Sequence, residues 1–248
     1  FFNFPPVVKE ASAVIAYVQS DLIDNSSDTV SSQAVTFSTN VTANNLIVVA
    51  VLWYSNTVTN SATPTDTRST SYAIALGPTA NTTPDPDVRS KIFYGFPATG
   101  GANTVTVTWA SSIQQPTVVV SEYSGIATAG ALDQALAAAG NSPTAPDSGN
   151  VTTTKDNELL INWFNEWHWG THTPGTNYTE REDGVQGGAF ADRIVSATGT
   201  YSATYTTSIS TNWIINIVTF RESVPLSDRK KPHKIRGKVV IRGKVKFR

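Results

Sequence analysis

The chain has 248 residues, no Cys, no Met and a formal net charge of −1. That length suffices for one large core, and the missing Cys excludes disulfides and Cys-ligated metal sites. The near-neutral total hides a partition: residues 1–228 hold 8 of the 18 Lys and Arg and all 19 Asp and Glu, a formal −11, while residues 229–248 hold the other ten cations and no acid. An acidic body with a basic extension attracts copies of itself.

Residues 1–30 open with Phe1, Phe2, Phe4 and Pro5-Pro6, then ASAVIAYV, and read as an N-terminal arm or edge strand. Because Phe1 is no translation start, N-terminal processing is expected, and with it an extracellular or virion location. No apolar run reaches the roughly 18 residues that span a bilayer, so a soluble mature protein is expected. Beyond residue 30, β-branched residues recur in nearly every apolar segment, separated by Thr, Ser, Asn and Gly, the composition of an all-β domain. Strands are predicted at 34–38, 46–53, 72–76, 90–96, 104–109, 116–123, 158–163, 176–181, 189–197, 201–206 and 211–220.

TVTVTW from Thr104 alternates like a strand with one wet face, whereas LIVVAVLW from Leu46 is apolar throughout and predicts a strand covered on both faces. ALDQALAAA from Ala131 has helical propensity, and a short crossing helix or an irregular strand fits its position equally. Many short strands without alternating helices point to a single antiparallel β-sandwich of jelly-roll type over residues 1–222. Residues 223–234, with their prolines and charges, read as a linker.

The last segment, 235–248, alternates almost strictly. Ile235, Gly237, Val239, Ile241, Gly243, Val245 and Phe247 share one face of an extended strand; Arg236, Lys238, Arg242, Lys244, Lys246 and Arg248 share the other. IRGKV occurs twice, at Ile235 and Ile241. Such a strand needs a partner for its apolar face and its backbone edges. It is read as an assembly strand through Ile235, Arg236, Lys238, Val239, Ile241, Arg242, Lys244, Val245 and Phe247, docking on neighbouring copies by β-augmentation. Ten cations would also bind phosphate, but a nucleic-acid arm has no need of the alternating apolar face, so nucleic acid is a minor expectation.

GGANTVTVTWA, VVVSEYSGIAT, ALDQALAAAGNSPTAPDSGNVTTTKDNELLI and DRIVSATGTYSATYTTSISTNWIINIVTFRE resemble β-sandwich domains of bacterial secreted, surface-attached and phage structural proteins. The resemblance implies a β-sandwich in such a setting and carries over no catalytic motif. The IRGKV repeat resembles the glycine-punctuated β-repeats of phage structural proteins.

The segment 162–172, NWFNEWHWGTH, concentrates three tryptophans and two histidines. Trp163, Trp167, His168 and Trp169 could contact a glycan, tryptophan faces stacking on sugar rings; the competing reading buries Trp163 and sets Trp167 or Trp169 against a loop or subunit. Glu166, His168 and His172 are zinc-ligand types without the HExxH spacing. Asp66, Asp85 and Asp87, and Glu180, Glu182 and Asp183, lack the regular spacing of a calcium loop. Neither metal nor cofactor is expected. Glu122, Glu158 and Glu166 are the carboxylates that could pair for glycoside hydrolysis, but no nucleophile elbow or phosphate loop accompanies them. Asn25, Asn40, Asn81, Asn150 and Asn177 begin glycosylation sequons. The expected function is a non-enzymatic structural subunit of a virion, extracellular filament or surface layer, with a carbohydrate-binding module and a nucleic-acid-binding coat protein as alternatives.

Overall fold

A computed structural model describes residues 14–25, 29–55, 61–81, 88–141, 145–166, 170–185, 187–210 and 212–223. The first half contains β1 (Ala16–Asp24), β2 (Thr29–Thr36), β3 (Leu46–Tyr54), β4 (Ala62–Asp66), β5 (Ala73–Asn81), β6 (Val88–Gly95) and β7 (Thr104–Ser124). The second contains β8 (Leu132–Asn141), β9 (Val151–Thr152), β10 (Glu158–Glu166), β11 (His172–Pro174), β12 (Thr179–Gly184), β13 (Gly188–Val195), β14 (Thr200–Tyr201), β15 (Tyr205–Thr207) and β16 (Asn212–Arg221). All sheet pairings are antiparallel, and the protein is an all-β sandwich.

The first sheet runs β1-β7-β3-β6-β5, with β2 and β4 flanking the first part of β7; the second runs β12-β13-β10-β16-β8. Each half of the chain thus builds its own sheet. The expected jelly-roll wrapping, in which successive strands alternate between sheets, is not seen among the described residues. The reason is that β3 and β10, buried from end to end, each need flanking strands, and each recruits them from its own half.

Three cores separate four layers. Between the sheets lie Leu46, Val48, Ala50 and Leu52 of β3, Val119 and Tyr123 of β7, and Leu159, Ile161, Trp163, Phe190, Val218 and Phe220 of the second sheet. The alternate residues of β3 (Ile47, Val49, Val51, Trp53) face outward against Val105, Val107 and Trp109 of β7. β7 reaches both places because it is one 21-residue strand interrupted at Gln115, whose φ is 45°. On the far side, Leu160, Phe164, Ile215 and Ile217 pack under Val151, Ala203 and Tyr205. Burying each large apolar side chain contributes about 1.5–3 kcal/mol.

The two sheets are built alike. Read as β1-β7-β3-β6-β5 and β8-β16-β10-β13-β12, they share connectivity and register. Asn44 and Asn157, with φ of 63° and 55°, turn the chain into β3 and β10. A register shift beside Tyr17 in the β1–β7 pair recurs between Val218 and Phe220 in the β8–β16 pair. The bulge between Ile74 and Leu76 in β5 recurs between Glu180 and Glu182 in β12. In the outer layers Ala62-Thr63-Pro64 pairs with β7 from Trp109, and His172-Thr173-Pro174 pairs with β15 from Thr207 in the same sense. The molecule is a structural duplication, two like halves packed face to face.

Several elements differ from the expected strands. The segment open to helix or strand is strand β8, its propensity overridden by pairing with β16. β4, β9 and β11 lie outside every predicted strand, and β1 is the edge strand that one reading of residues 1–30 expected, paired with β7. The predicted strands 104–109 and 116–123 are one element. The assembly strand 235–248 and the linker residues 224–234 lie outside the described residues.

Candidate functional site

The duplication makes each half a control for the other. At the end of β3, Trp53 packs on Trp109 with ring centroids 6.4 Å apart, and Ala62 lies in the same apolar cluster. The equivalent positions of the second half hold Glu166, Thr207 and His172. There the chain buries a carboxylate where its twin buries an indole. Glu166 is fully buried and its carboxylate is satisfied by His172 Nε2 at 2.9 Å, the Thr207 hydroxyl at 2.7 Å and the Gly170 N–H at 3.1 Å. The other imidazole nitrogen, Nδ1, lies 2.8 Å from Asp183 Oδ1. The ring stands edge-on to Phe164 at 5.4 Å, and Phe164 stacks on Tyr205 at 4.9 Å.

The backbone holds the cluster at the meeting of the sheets. The Glu166 N–H donates to the carbonyl of Gly187 at 2.8 Å, and the Tyr54 hydroxyl of the first sheet donates to the Glu166 carbonyl at 3.1 Å. Gly187 turns β12 into β13 with φ of 85°, where a Cβ would also strike the Glu166 backbone. Burial opposes charging of His172, but hydrogen bonds to Asp183 and Glu166 outweigh it and raise its pKa to about 9. At neutral pH His172 is an imidazolium that donates from both nitrogens.

The acidic edge beside it is β12. Its bulge sends Glu180 and Asp183 toward the His172 side, while Arg181 and Glu182 meet β1. Arg181 forms a two-point pair with Asp192 at 2.8 and 3.1 Å, stacks over the Tyr17 ring at 3.9 Å, and Asp192 also accepts from Tyr123 at 2.8 Å. Glu182 accepts from Ser20 at 2.6 Å. Burial and Asp183 raise the pKa of Glu180 against the opposing pull of His172; burial and Asp21 raise that of Glu182 against the Ser20 hydrogen bond. The buried Tyr205 hydroxyl has no hydrogen-bond partner among the described residues, and burial, then Glu180 and Asp183, push its pKa up.

The other carboxylates are struts. Glu122 is fully buried and accepts from Gln19 at 2.7 Å, Asn45 at 2.6 Å and the Thr42 N–H at 2.8 Å, closing the loop before β3. Glu158 accepts from the Lys155 N–H at 3.1 Å in the matching loop, and burial together with Asp133 raises its pKa to about 7. Asp133 is held by Arg221 and Thr154. Glu158 and Glu166 begin and end β10, about 26 Å apart at 3.3 Å per residue, and Glu122 lies at the Glu158 end, so these three do not pair across a cleft. Asp66 is enclosed by the N–H groups of Arg68 and Thr70, Tyr72 and Asn103.

Trp163 is fully buried between the sheets against Phe190, so it is not a glycan contact. A tryptophan at the midpoint of a central strand fills the core rather than a surface. Trp167, His168 and Trp169 lie outside the described residues, as do Asp85 and Asp87. Among the described residues no group of three His, Asp or Glu could hold a metal ion. Of the sequons, Asn81 is buried and donates to the carbonyls of Gly140 at 2.9 Å and Trp213 at 3.2 Å, which leaves it no room for a glycan.

Sequence reasoning placed Glu166 with His172 and grouped Glu180, Glu182 and Asp183, but as two separate metal candidates. It missed Thr207 and Tyr205. The signal that finds them is the paired Thr-Pro of Thr63-Pro64 and Thr173-Pro174, which aligns the two halves. Comparison with protein-family models, curated proteins and solved structures finds no match.

Proposed function

We propose that this protein is a non-enzymatic structural subunit that self-assembles into a virion, extracellular filament or surface layer, its C-terminal strand docking on a neighbouring copy. The observation that carries this reading is the partition of charge, −11 in residues 1–228 against +10 in residues 229–248, joined to the period-two alternation of 235–248. A solvating tail would not place Ile, Val and Phe at every second position. The buried Glu122 and Glu166 fit the same reading: each is hydrogen-bonded within the fold, and the buried His172 is bound at both nitrogens.

The test is solution mass by light scattering for residues 1–248 and for a chain ending at Asp228, at low and high salt. Large species formed by the full chain alone, and reduced at high salt, support assembly through the tail. Two monomers at every concentration overturn it. Glycan binding through Trp167 and Trp169, or nucleic acid co-purifying with the full chain, would favour the alternatives.

A further inference from the structure

We infer that the receptor for the basic C-terminal strand is the β12 edge of a neighbouring copy, where Glu180 on one face of the strand and Glu182 on the other, with Asp21 of β1 beside them, draw its Lys and Arg side chains. The inference rests on the assembly reading and names its partner surface.

Three observations select this edge. Among the described residues β12 pairs with β13 alone, and no described strand pairs with its other side. The remaining edge strands are poor in charge: β2 and β5 carry no carboxylate, Asp66 of β4 is enclosed by its own loop, and Asp133 of β8 is paired with Arg221. Glu180 and Glu182 of β12 and Asp21 of β1 form no ion pair among the described residues, whereas the nearby Arg181 is committed to Asp192 and His172 to Glu166 and Asp183. A strand bringing cations at every second position would relieve that excess.

The comparison between halves adds the second line. At the bulge, β5 carries Ile74 and Leu76 where β12 carries Glu180 and Glu182. The fold therefore does not require acids at this edge. Nor does it require a polar cluster beneath, since Trp53, Trp109 and Ala62 fill the equivalent volume. The chain outside the structure is long enough: 25 residues follow Ser223, reaching about 80 Å when extended.

The test uses the full chain. Glu180→Lys with Glu182→Lys is expected to raise the concentration at half-assembly at least tenfold, while Asp147→Lys, an exposed acid elsewhere on the body, leaves it unchanged. Adding Lys238→Glu and Lys244→Glu to the β12 variant is expected to restore assembly, and a circular-dichroism melt confirms that each variant is folded. If the wild-type chain assembles and the β12 reversal changes nothing, this edge is not the receptor although assembly stands. If the reversal weakens assembly and the reciprocal change fails to restore it, the charge contact is wrong. A wild-type chain that stays monomeric overturns both readings.

Discussion

The first half of this protein closes its outer layer with Trp53 on Trp109; the second closes the same place with Glu166, His172 and Thr207. Backbone, register and bulges agree, so the difference is chemical rather than architectural. Apolar packing is the cheaper solution, since a buried ion pair gains little net stability over hydrophobic residues of similar volume. The polar solution occurs in one half alone, beside an acidic edge whose twin is apolar.

The comparison can be broken at several points. Trp163→Ala removes the largest side chain between the sheets and is expected to cost about 3–5 kcal/mol in urea unfolding; a loss under 1 kcal/mol would mean the sheets do not meet there. Glu166→Leu strands His172 and Thr207 and is expected to cost about 3–5 kcal/mol, whereas Trp53→Phe in the twin position should cost less because no partner is left unsatisfied.

His172 sharpens the contrast through pH. Its folded pKa lies above the unfolded value, so its stabilisation is complete below pH 6.5 and is lost as pH rises through about 9. Unfolding free energy should fall by about 3 kcal/mol across that window, and His172→Gln should remove the fall. Glu158 acts in the same direction at lower pH: its raised pKa makes stability decline between about pH 4.5 and 7, a slope that Glu158→Gln should flatten. The smallest effects test the duplication itself. Asn44→Ala and Asn157→Ala each force alanine into a left-handed turn and should cost about 1 kcal/mol apiece, nearly equally. A marked inequality would show that the turns are not equivalent.

Much of the fold was legible. The unbroken apolar run at β3 predicts a strand covered on both faces, and it is buried from Leu46 to Tyr54. The Ala-rich run of β8 was not decidable, because local propensity and the pairing edge of β16 pull in opposite directions. β4 hid among Thr and Pro, its place set by β7 rather than by its own residues. The duplication was present in fragments: Asn44 and Asn157, Thr63-Pro64 and Thr173-Pro174, Ala98-Thr99-Gly100 and Ala197-Thr198-Gly199. Loops of unequal length between them destroy any fixed period, so register in the sheet reveals what spacing in the chain conceals. The buried cluster was half legible for the same reason, since Asp183 and Thr207 reach Glu166 and His172 through sheet pairing.

Hydrogen exchange on the full chain, below and above its assembly concentration, tests the central claim most directly. The account predicts that amides of β12 from Glu180 to Asp183 slow on assembly, while those of the equivalent strand β5 around Ile74 and Leu76 exchange at unchanged rates. Equal behaviour of the two edges, or protection confined to β5 or β8, would contradict it.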